Sequence, residues 1–279
     1  MTKVLTPGAA KLADLEHIWR EGRAATLDRD VRPAVEAAAE LVRQAAEGDE
    51  AVYGVNTGFG KLASVKIPAE QTEALQRNLI LSHCCGVGEA LDADTTRLMM
   101  VLKLLSLGRG ASGVQWRTVT LIEDMLARDV MPAVPVQGSV GASGDLAPLA
   151  HMAAVMISAG EAVHDGVRMD GAAALEAAGL SPIQLGPKEG LALINGTQFS
   201  TACALIALWE AWRNASACIV TSAMSTDAIM GSTAPLVDEI HMLRGHLGQI
   251  RAARAQRELM EGSEIRESHR EGDSRVQDP

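Results

Sequence analysis

The stretch GSVGASGDLAPLAHM, residues 138–152, joins a glycine-rich loop to the start of a helix. Two prolines and three glycines shape the segment from Pro132 to Gly144, because glycine permits unusual backbone angles and close approach of one peptide to another. From Asp145 to about Ala159 an apolar helical pattern resumes. Pro148 is tolerated there because it lies in the first turn. The sequence therefore predicts a shaped loop at the N-terminus of a helix.

Three small residues of this loop, Ala142, Ser143 and Gly144, can react with one another. Attack of the Gly144 amide nitrogen on the Ala142 carbonyl, with loss of water from the ring and from Ser143, would give an imidazolone bearing an electrophilic methylidene carbon. Asp145 is a candidate proton shuttle for the cyclisation, and the helix that it opens favours electron density on the ring oxygen. Two other interpretations stay open, an anion-binding nest and a plain structural turn.

The composition of the 279-residue chain predicts a mainly helical, folded protein. Apolar residues make up 47% and aromatic residues only 3%, which excludes a disordered chain and disfavours an aromatic-rich β-sandwich. The formal net charge of −10 would repel phosphate backbones, so nucleic-acid binding is not expected.

The chain offers little sign of a metal centre, a disulfide framework or a membrane span. Its four cysteines form no CxxC pair, so neither a zinc site nor a set of disulfides is predicted. The longest uncharged stretch, Gly190 to Trp209, carries several polar side chains and is expected to be a buried helix. With no signal-peptide pattern at the N-terminus, we expect a cytoplasmic protein.

Helical periodicity recurs along the rest of the chain. Apolar spacings of three and four predict helices over Asp30–Gly48, Asp94–Leu107, about Val114–Asp129 and about Thr197–Met230, with Asp94 as a cap. The segment from Gly108 to Gly113 is the best candidate for a domain boundary. The densely charged end, Arg251 to Pro279, is interpreted as a solvated helix followed by a frayed tail.

The loop and three further segments resemble the aromatic amino-acid ammonia-lyases. GSVGASGDLAPLAHM is similar to the family signature in which Ala-Ser-Gly becomes the 4-methylideneimidazol-5-one group (MIO). The other three similar segments follow the family order: YGVNTGFGKLA at Tyr53–Ala63, NLILSHCCGVG at Asn78–Gly88 and KEGLALINGTQ at Lys188–Gln198. The resemblance spans nearly the whole chain.

The resemblance implies roles for single residues, each beside a simpler structural interpretation. Tyr53 would take a β-proton from the substrate, whereas a lone tyrosine is more often a half-buried ring. His83 would face the substrate ring, although a helix-end histidine is common in cores. Asn195 would contact the cofactor or the amino-acid part of the substrate, and otherwise caps a turn. Gln277 matches a family glutamine near the cofactor.

The pair Ser82-His83 resembles the histidine-specific members of the family. The implied reaction is non-oxidative deamination of L-histidine to trans-urocanate and ammonia, with MIO formed autocatalytically from residues 142–144 and no metal. The implied fold is mainly α and ammonia-lyase/fumarase-like, with a head region over residues 1–110 carrying Tyr53 and His83. Residues 111–279 would contain the MIO loop and the first part of a long-helix bundle, which in the family assembles as a homotetramer.

Family members are nearly twice as long as this chain, so it is expected to hold the head and an incomplete bundle. Alone, it is expected to have weak or no lyase activity and to expose apolar helix faces. Alternatives are a tyrosine or phenylalanine ammonia-lyase, an aminomutase, an inactive oligomerisation remnant, and an anion-binding protein that uses the unmodified loop.

Overall fold

A computed structural model describes residues 2–60, 63 and 65–278, with the side chain of residue 69 left aside. Lys61 and Leu62 of the quoted segment Tyr53–Ala63, and Pro279 at the predicted end of the bundle region, lie outside the described residues. The protein is 56% helical with few strands, which confirms the predicted mainly α fold class.

The helices and strands follow one another in short units. The helices are α1 (Leu12–Glu21), α2 (Arg32–Glu47), α3 (Thr72–His83), α4 (Ala93–Leu107), α5 (Trp116–Ala127), α6 (Leu146–Met156), α7 (Gly171–Ala177), α8 (Glu189–Ile194), α9 (Gln198–Ala228), α10 (Asp238–Arg244), α11 (Leu247–Leu259) and α12 (Glu264–Ser268). The strands are β1 (Lys3–Leu5), β2 (Ala25–Leu27), β3 (Val87–Ala90), β4 (Met131–Pro132), β5 (Pro135–Gln137), β6 (Glu161–His164) and β7 (Val167–Asp170).

The described helices match most of the periodicity. α2, α5, α6 and α9 lie within the predicted segments, each one to three residues shorter at its ends. The predicted cap of α4 was wrong, because Asp92 and not Asp94 accepts the Thr95 N–H, at 2.7 Å. A cap acts from just outside the helix, and Asp94 already lies inside the first turn.

The chain divides into two compact units, Met1–Ile206 and Ala207–Pro279. The predicted head and bundle regions, 1–110 and 111–279, describe a different division and stay a prediction. In the first unit, α4 and α6 are buried almost all round, which is typical of central helices. α6 packs against α3 and α8, and these two helices also contact each other. This packing brings together the end of α3, the start of α6 and the end of α8.

Three small sheets fix the chain between these helices. β1 and β2 are parallel, and β4, β6 and β7 form an antiparallel sheet. β3 pairs antiparallel with β5, with Val87 opposite Gln137. A Cβ added to Gly138 would lie 3.1 Å from the Cα of Gly86, so the segment after α3 and the entry to the loop nearly touch. The loop therefore begins from a fixed point.

The second unit contains most of α9 and the short helices α10–α12. Several of its apolar side chains are exposed, including Trp212 (72%), Met224 (66%) and Leu243 (89%). The charged C-terminal segment forms α11 and α12 and then continues without regular structure from His269 to Asp278. By length and composition alone, one described stretch, Glu189–Ala228, could cross a membrane, a test that core helices of soluble proteins also pass.

Candidate active site

A cavity of about 540 Å³ lies in the first unit, beside the loop that precedes α6. Its walls come from four separate parts of the chain: Tyr53, Phe59, Gly60, Leu79, His83, Ser143, Leu146, Leu191 and Asn195. The volume falls within the range of small-molecule sites, and a few polar groups stand among apolar ones, as such sites require. Four of the predicted site residues, Tyr53, His83, Ser143 and Asn195, thus share one cavity.

At the end of the loop formed by residues 141–144, Gly144 has a backbone conformation that glycine adopts far more readily than other residues. Gly144 has φ +137°, and a Cβ there would lie 2.7 Å from the carbonyl oxygen and 2.8 Å from the nitrogen of Gly196. A side chain at position 144 would therefore be both strained and blocked. The neighbouring Gly141 also has positive φ, +65°, but open space around it. Gly144 is thus held against Gly196, and the cyclisation of residues 142–144 stays a prediction.

Asp145 lies buried under the loop, 1% exposed, and its carboxylate is fully engaged. Oδ1 accepts hydrogen bonds from the hydroxyls of Ser139 and Ser200, both at 2.6 Å, and Oδ2 accepts the Ser200 N–H at 2.8 Å. The Asp145 N–H donates to the Gly196 carbonyl at 2.7 Å. These bonds hold both ends of the loop. Proton shuttling by Asp145 stays a prediction, for which the two serine hydroxyls are available exchange partners.

Tyr53 and Phe59 form an edge-to-face pair, with ring centroids 5.9 Å apart and an interplanar angle of 85°. Such a pair restrains the orientation of both rings. Tyr53 is 55% exposed, so its hydroxyl is accessible. This exposure also fits the simpler structural interpretation, a half-buried ring. Its part as a base stays a prediction.

The ring of His83, the last residue of α3, is held by its own helix. Nδ1 lies 2.7 Å from the Leu79 carbonyl oxygen, and the Ser82 hydroxyl donates to the same oxygen at 3.0 Å. A carbonyl can only accept, so Nδ1 carries the proton in this bond. In the neutral ring, Nε2 then keeps its lone pair and can accept a hydrogen bond.

Asn195 follows α8 directly, and its side chain reaches the loop. The Nδ2 amide donates to the carbonyl oxygen of Ser143 at 3.0 Å. The backbone carbonyl of Asn195 accepts a hydrogen bond of 3.1 Å from the amine of Lys103 in α4. Asn195 therefore contacts the predicted cofactor segment, in addition to any part in the turn that follows α8.

Gln277 is the predicted site residue that lies elsewhere in the chain. It belongs to the second unit, in the exposed segment after α12. Its place beside the cofactor stays a prediction. No group of three or more histidine, cysteine or acidic side chains able to hold a metal occurs among the residues that the structure describes.

Cys84 and His151, close to His83 and the strand that follows it, have altered pKa values. Burial, with a smaller effect of Cys85, raises the pKa of the Cys84 thiol to about 11. Burial lowers the pKa of His151, and the effect of Glu161 opposes this shift only in part. The His151 Nε2 accepts the Gly86 N–H at 3.1 Å, which requires an unprotonated Nε2. A neutral His151 thus fixes the backbone three residues after His83.

Sequence reasoning missed the residues that support the site. Ser139 lies inside the quoted signature and Ser200 just beyond the Asn195 segment, and either could have been noticed as a partner for a buried carboxylate. Phe59 lies in the same quoted segment as Tyr53. Lys103 gave no signal, since it sits in an apolar helical run with no motif around it.

Comparison with known proteins adds an independent line of evidence. The sequence profile of the family described as aromatic amino acid lyase matches residues 10–279. The chain is 71% identical to a histidine ammonia-lyase of Roseobacter denitrificans over all 279 of its residues, which are 54% of that relative. It therefore spans about half the length of the curated relative that it matches.

Solved structures show the same similarity. A histidine ammonia-lyase from Trypanosoma cruzi aligns with TM-score 0.86 and 35% identity, over 92% of this chain and 50% of that one. A phenylalanine aminomutase from Pantoea agglomerans aligns with TM-score 0.89 and 30% identity, over 94% of this chain and 51% of that one. Both similarities cover nearly all of the fold described above.

Proposed function

Because this chain belongs to the aromatic amino acid lyase family, we propose that it acts as a histidine ammonia-lyase, converting L-histidine to trans-urocanate and ammonia. The observation that carries the proposal is the shared cavity of Tyr53, His83, Ser143 and Asn195. The high identity to a histidine ammonia-lyase along the whole chain supports the same substrate. The activity is proposed for the whole protein, because this chain spans only 54% of the relative that it matches.

The proposed electrophile is MIO, formed from Ala142, Ser143 and Gly144. This group supplies an electrophilic carbon that makes the substrate nitrogen a better leaving group. The tight fit of Gly144 against Gly196 and the bond from Asn195 to the Ser143 carbonyl support its formation at this loop. Asn195 would hold this group through the Ser143 carbonyl oxygen, to which its side-chain amide donates.

Tyr53 is the proposed base for the substrate β-proton. Its hydroxyl is accessible at the cavity wall, and the edge contact with Phe59 limits the positions that the ring can take. A phenol titrates near 10 in water, so proton transfer to it at neutral pH depends on a site that favours the phenolate. Positioning over the substrate carbon is the contribution that the described residues make to this step.

His83 is the proposed selector for an imidazole ring. With Nδ1–H donated to the Leu79 carbonyl, Nε2 can accept the N–H of a second imidazole. Phenylalanine has no such N–H, so its binding would leave that acceptor unpaired, and sites of this kind discriminate strongly. Leu79, Leu146 and Leu191 supply apolar wall to the same cavity, which suits a planar ring.

The alternative within the family is action on phenylalanine or tyrosine, as a lyase or an aminomutase. The structural similarity to a phenylalanine aminomutase, with TM-score 0.89, favours keeping it. An inactive remnant that only oligomerises is the non-enzymatic alternative. We further propose that the protein is cytoplasmic and assembles with copies of itself, as the exposed Trp212, Met224 and Leu243 of the second unit suggest.

The deciding experiment is an intact mass of the purified chain, compared with its Ser143→Ala variant. Cyclisation removes two waters, so the wild-type mass is expected to be about 36 Da below the mass calculated from its sequence. The variant is expected not to show this loss of two waters relative to its own calculated mass. Turnover of histidine, phenylalanine and tyrosine is then measured on the whole protein, with histidine expected to be preferred. An unmodified wild-type mass would contradict the proposal for this chain.

A further inference from the structure

Lys103 is a buried amine in the middle of α4. It is 1% exposed, in a stretch of the helix where Met99, Met100 and Leu104 are buried as well. Burial of an amine is costly unless its protons find acceptors. Within the part of the chain that the structure describes, Nζ has one hydrogen-bond partner, the Asn195 carbonyl oxygen at 3.1 Å. Desolvation accordingly lowers the pKa of Lys103 to about 7.

The partner of Lys103 is the carbonyl group at the point where the chain leaves α8. The Asn195 N–H still bonds to the Leu191 carbonyl as part of the helix, but the residue itself has extended dihedrals (φ −90°, ψ 122°). Its carbonyl oxygen therefore leaves the helical hydrogen-bond pattern and needs a donor from elsewhere in the chain. Lys103 supplies that donor from a different helix, 92 residues away in sequence.

The peptide that Lys103 holds lies directly against the loop. Asn195 donates its side-chain amide to the Ser143 carbonyl at 3.0 Å. Gly196 accepts the Asp145 N–H at 2.7 Å, and its backbone leaves no room for a side chain at Gly144. A shift of the Asn195-Gly196 peptide would disturb both bonds together. Lys103 thus binds the same peptide to which Ser143 and Asp145 of the loop are hydrogen-bonded.

We propose that Lys103 is a positioning residue, whose amine holds the Asn195-Gly196 peptide so that Ser143, Gly144 and Asp145 stay in the conformation needed for the cofactor and the substrate. The inference rests on the proposed function for its purpose, but the mechanical link that it names exists in the chain without any cofactor. A purely structural lysine would instead stabilise α4 itself and leave the loop unaffected.

The test compares local hydrogen exchange in the full chain and in its Lys103→Met variant. Methionine has a similar length without a donor, so the core is expected to stay folded. Peptides covering residues 142–146 and 195–199 are expected to exchange about tenfold faster, the effect of losing one hydrogen bond, with α4 unchanged. Lys103→Arg, which keeps a donor, is expected to restore slow exchange in both peptides.

The matched control is Leu104→Ala, at the next buried position of α4, which destabilises the helix with the Lys103 bond intact. It is expected to speed exchange throughout the core, and not selectively in the loop. Three results for Lys103→Met would overturn the proposal. Its loop peptides exchange as slowly as those of the wild type, its α4 peptides speed up as much as its loop peptides, or the whole chain exchanges as an unfolded chain does.

Intact mass separates this inference from the proposed function. A wild-type chain without the loss of two waters defeats the proposed function, while the exchange comparison still decides the role of Lys103. Where the wild type is cyclised, Lys103→Met is expected to lower the cyclised fraction several-fold, and Lys103→Arg to retain it. A fully cyclised Lys103→Met chain with fast loop exchange would contradict the part of the proposal that concerns cofactor formation.

Discussion

The side-chain amide of Asn195 lies 3.0 Å from the carbonyl oxygen of Ser143 and donates a hydrogen bond to it. The two residues belong to segments that the sequence singled out separately, one for its reactive Ala-Ser-Gly triplet and one for its Asn-Gly pair. Their contact makes the loop and the end of α8 a single structural unit. Several measurable consequences arise from the way in which this unit is held.

Replacement of Gly144 by alanine is expected to disrupt the loop. The added Cβ would meet the Gly196 backbone at 2.7–2.8 Å at a φ of +137°, which alanine rarely adopts. We expect a loss of about 1–3 kcal/mol in the free energy of unfolding, measured by urea denaturation, and no loss of water from the loop in the intact mass.

Gly141→Ala is the matched control, since its φ is +65° and nothing lies within 4 Å of the added Cβ. It should cost only about 1 kcal/mol, the ordinary penalty for alanine in this conformation. Equal effects of the two substitutions would contradict the importance of the Gly144–Gly196 contact.

Asp145→Asn is expected to destabilise the first unit. The asparagine side-chain NH2 would meet a group that now donates to the carboxylate. These groups are the hydroxyls of Ser139 and Ser200 and the N–H of Ser200. Loss of charge-assisted bonds at a buried site is expected to lower the free energy of unfolding by about 2–4 kcal/mol. Asp165→Asn, at an exposed turn, should change it by less than about 0.5 kcal/mol. A stable Asp145→Asn chain would show that the buried carboxylate is dispensable for folding.

Stability is expected to rise with pH just above neutrality because of Lys103. Its pKa is about 7 in the folded chain, against 10.5 for an unperturbed lysine. Between these values the unfolded chain binds more protons, so the free energy of unfolding increases with pH, by up to about 1.4 kcal/mol per pH unit. Urea denaturation of wild type and Lys103→Met from pH 7 to 8.5 measures this difference.

The destabilisation caused by burying the Lys103 charge is complete below pH 7, where both the folded and the unfolded chain are protonated. The Lys103→Met chain should lack the increase, so its stability relative to wild type should be greatest near pH 7. A pH-independent difference between the two chains would contradict a neutral, buried amine in the folded protein at high pH.

His83→Leu is expected to remove the preference for an imidazole ring. Loss of the Nε2 acceptor should weaken binding of L-histidine about tenfold, the worth of one hydrogen bond, with little effect on L-phenylalanine. Calorimetric titration with both amino acids checks this expectation, with His246→Leu as a control at an exposed position of the second unit. Unchanged discrimination in His83→Leu would assign the selectivity to other residues.

The sequence was informative where the chemistry depends on local pattern. The Ala-Ser-Gly triplet and the helix that begins at Leu146 followed from local pattern, and the cavity residues Tyr53, His83 and Asn195 were identified through the resemblance of their segments to a known family. The cap of α4 was misassigned to Asp94 because Asp92, two residues earlier, offers the same side chain, and only dihedrals distinguish them.

Contacts distant in sequence could not be predicted in this way. Lys103 would ordinarily be assigned to the surface, and its burial under Asn195 depends on how α4 and α8 are placed by the whole first unit. The bonds of Ser200 to Asp145 likewise exist only after the starts of α6 and α9, 55 residues apart, have met. No single segment contains that information.

The order of the chain also sets a time for the maturation of the loop. Asn195 follows Ser143 by 52 residues, so at a synthesis rate of roughly 5–20 residues per second about 3–10 s pass before the loop's second support exists. Until then the triplet leaves the ribosome as an ordinary flexible segment, open to chaperones and proteases. The support from Asn195 thus becomes available only after the triplet has been made, and a pause in synthesis between these two residues would lengthen that interval.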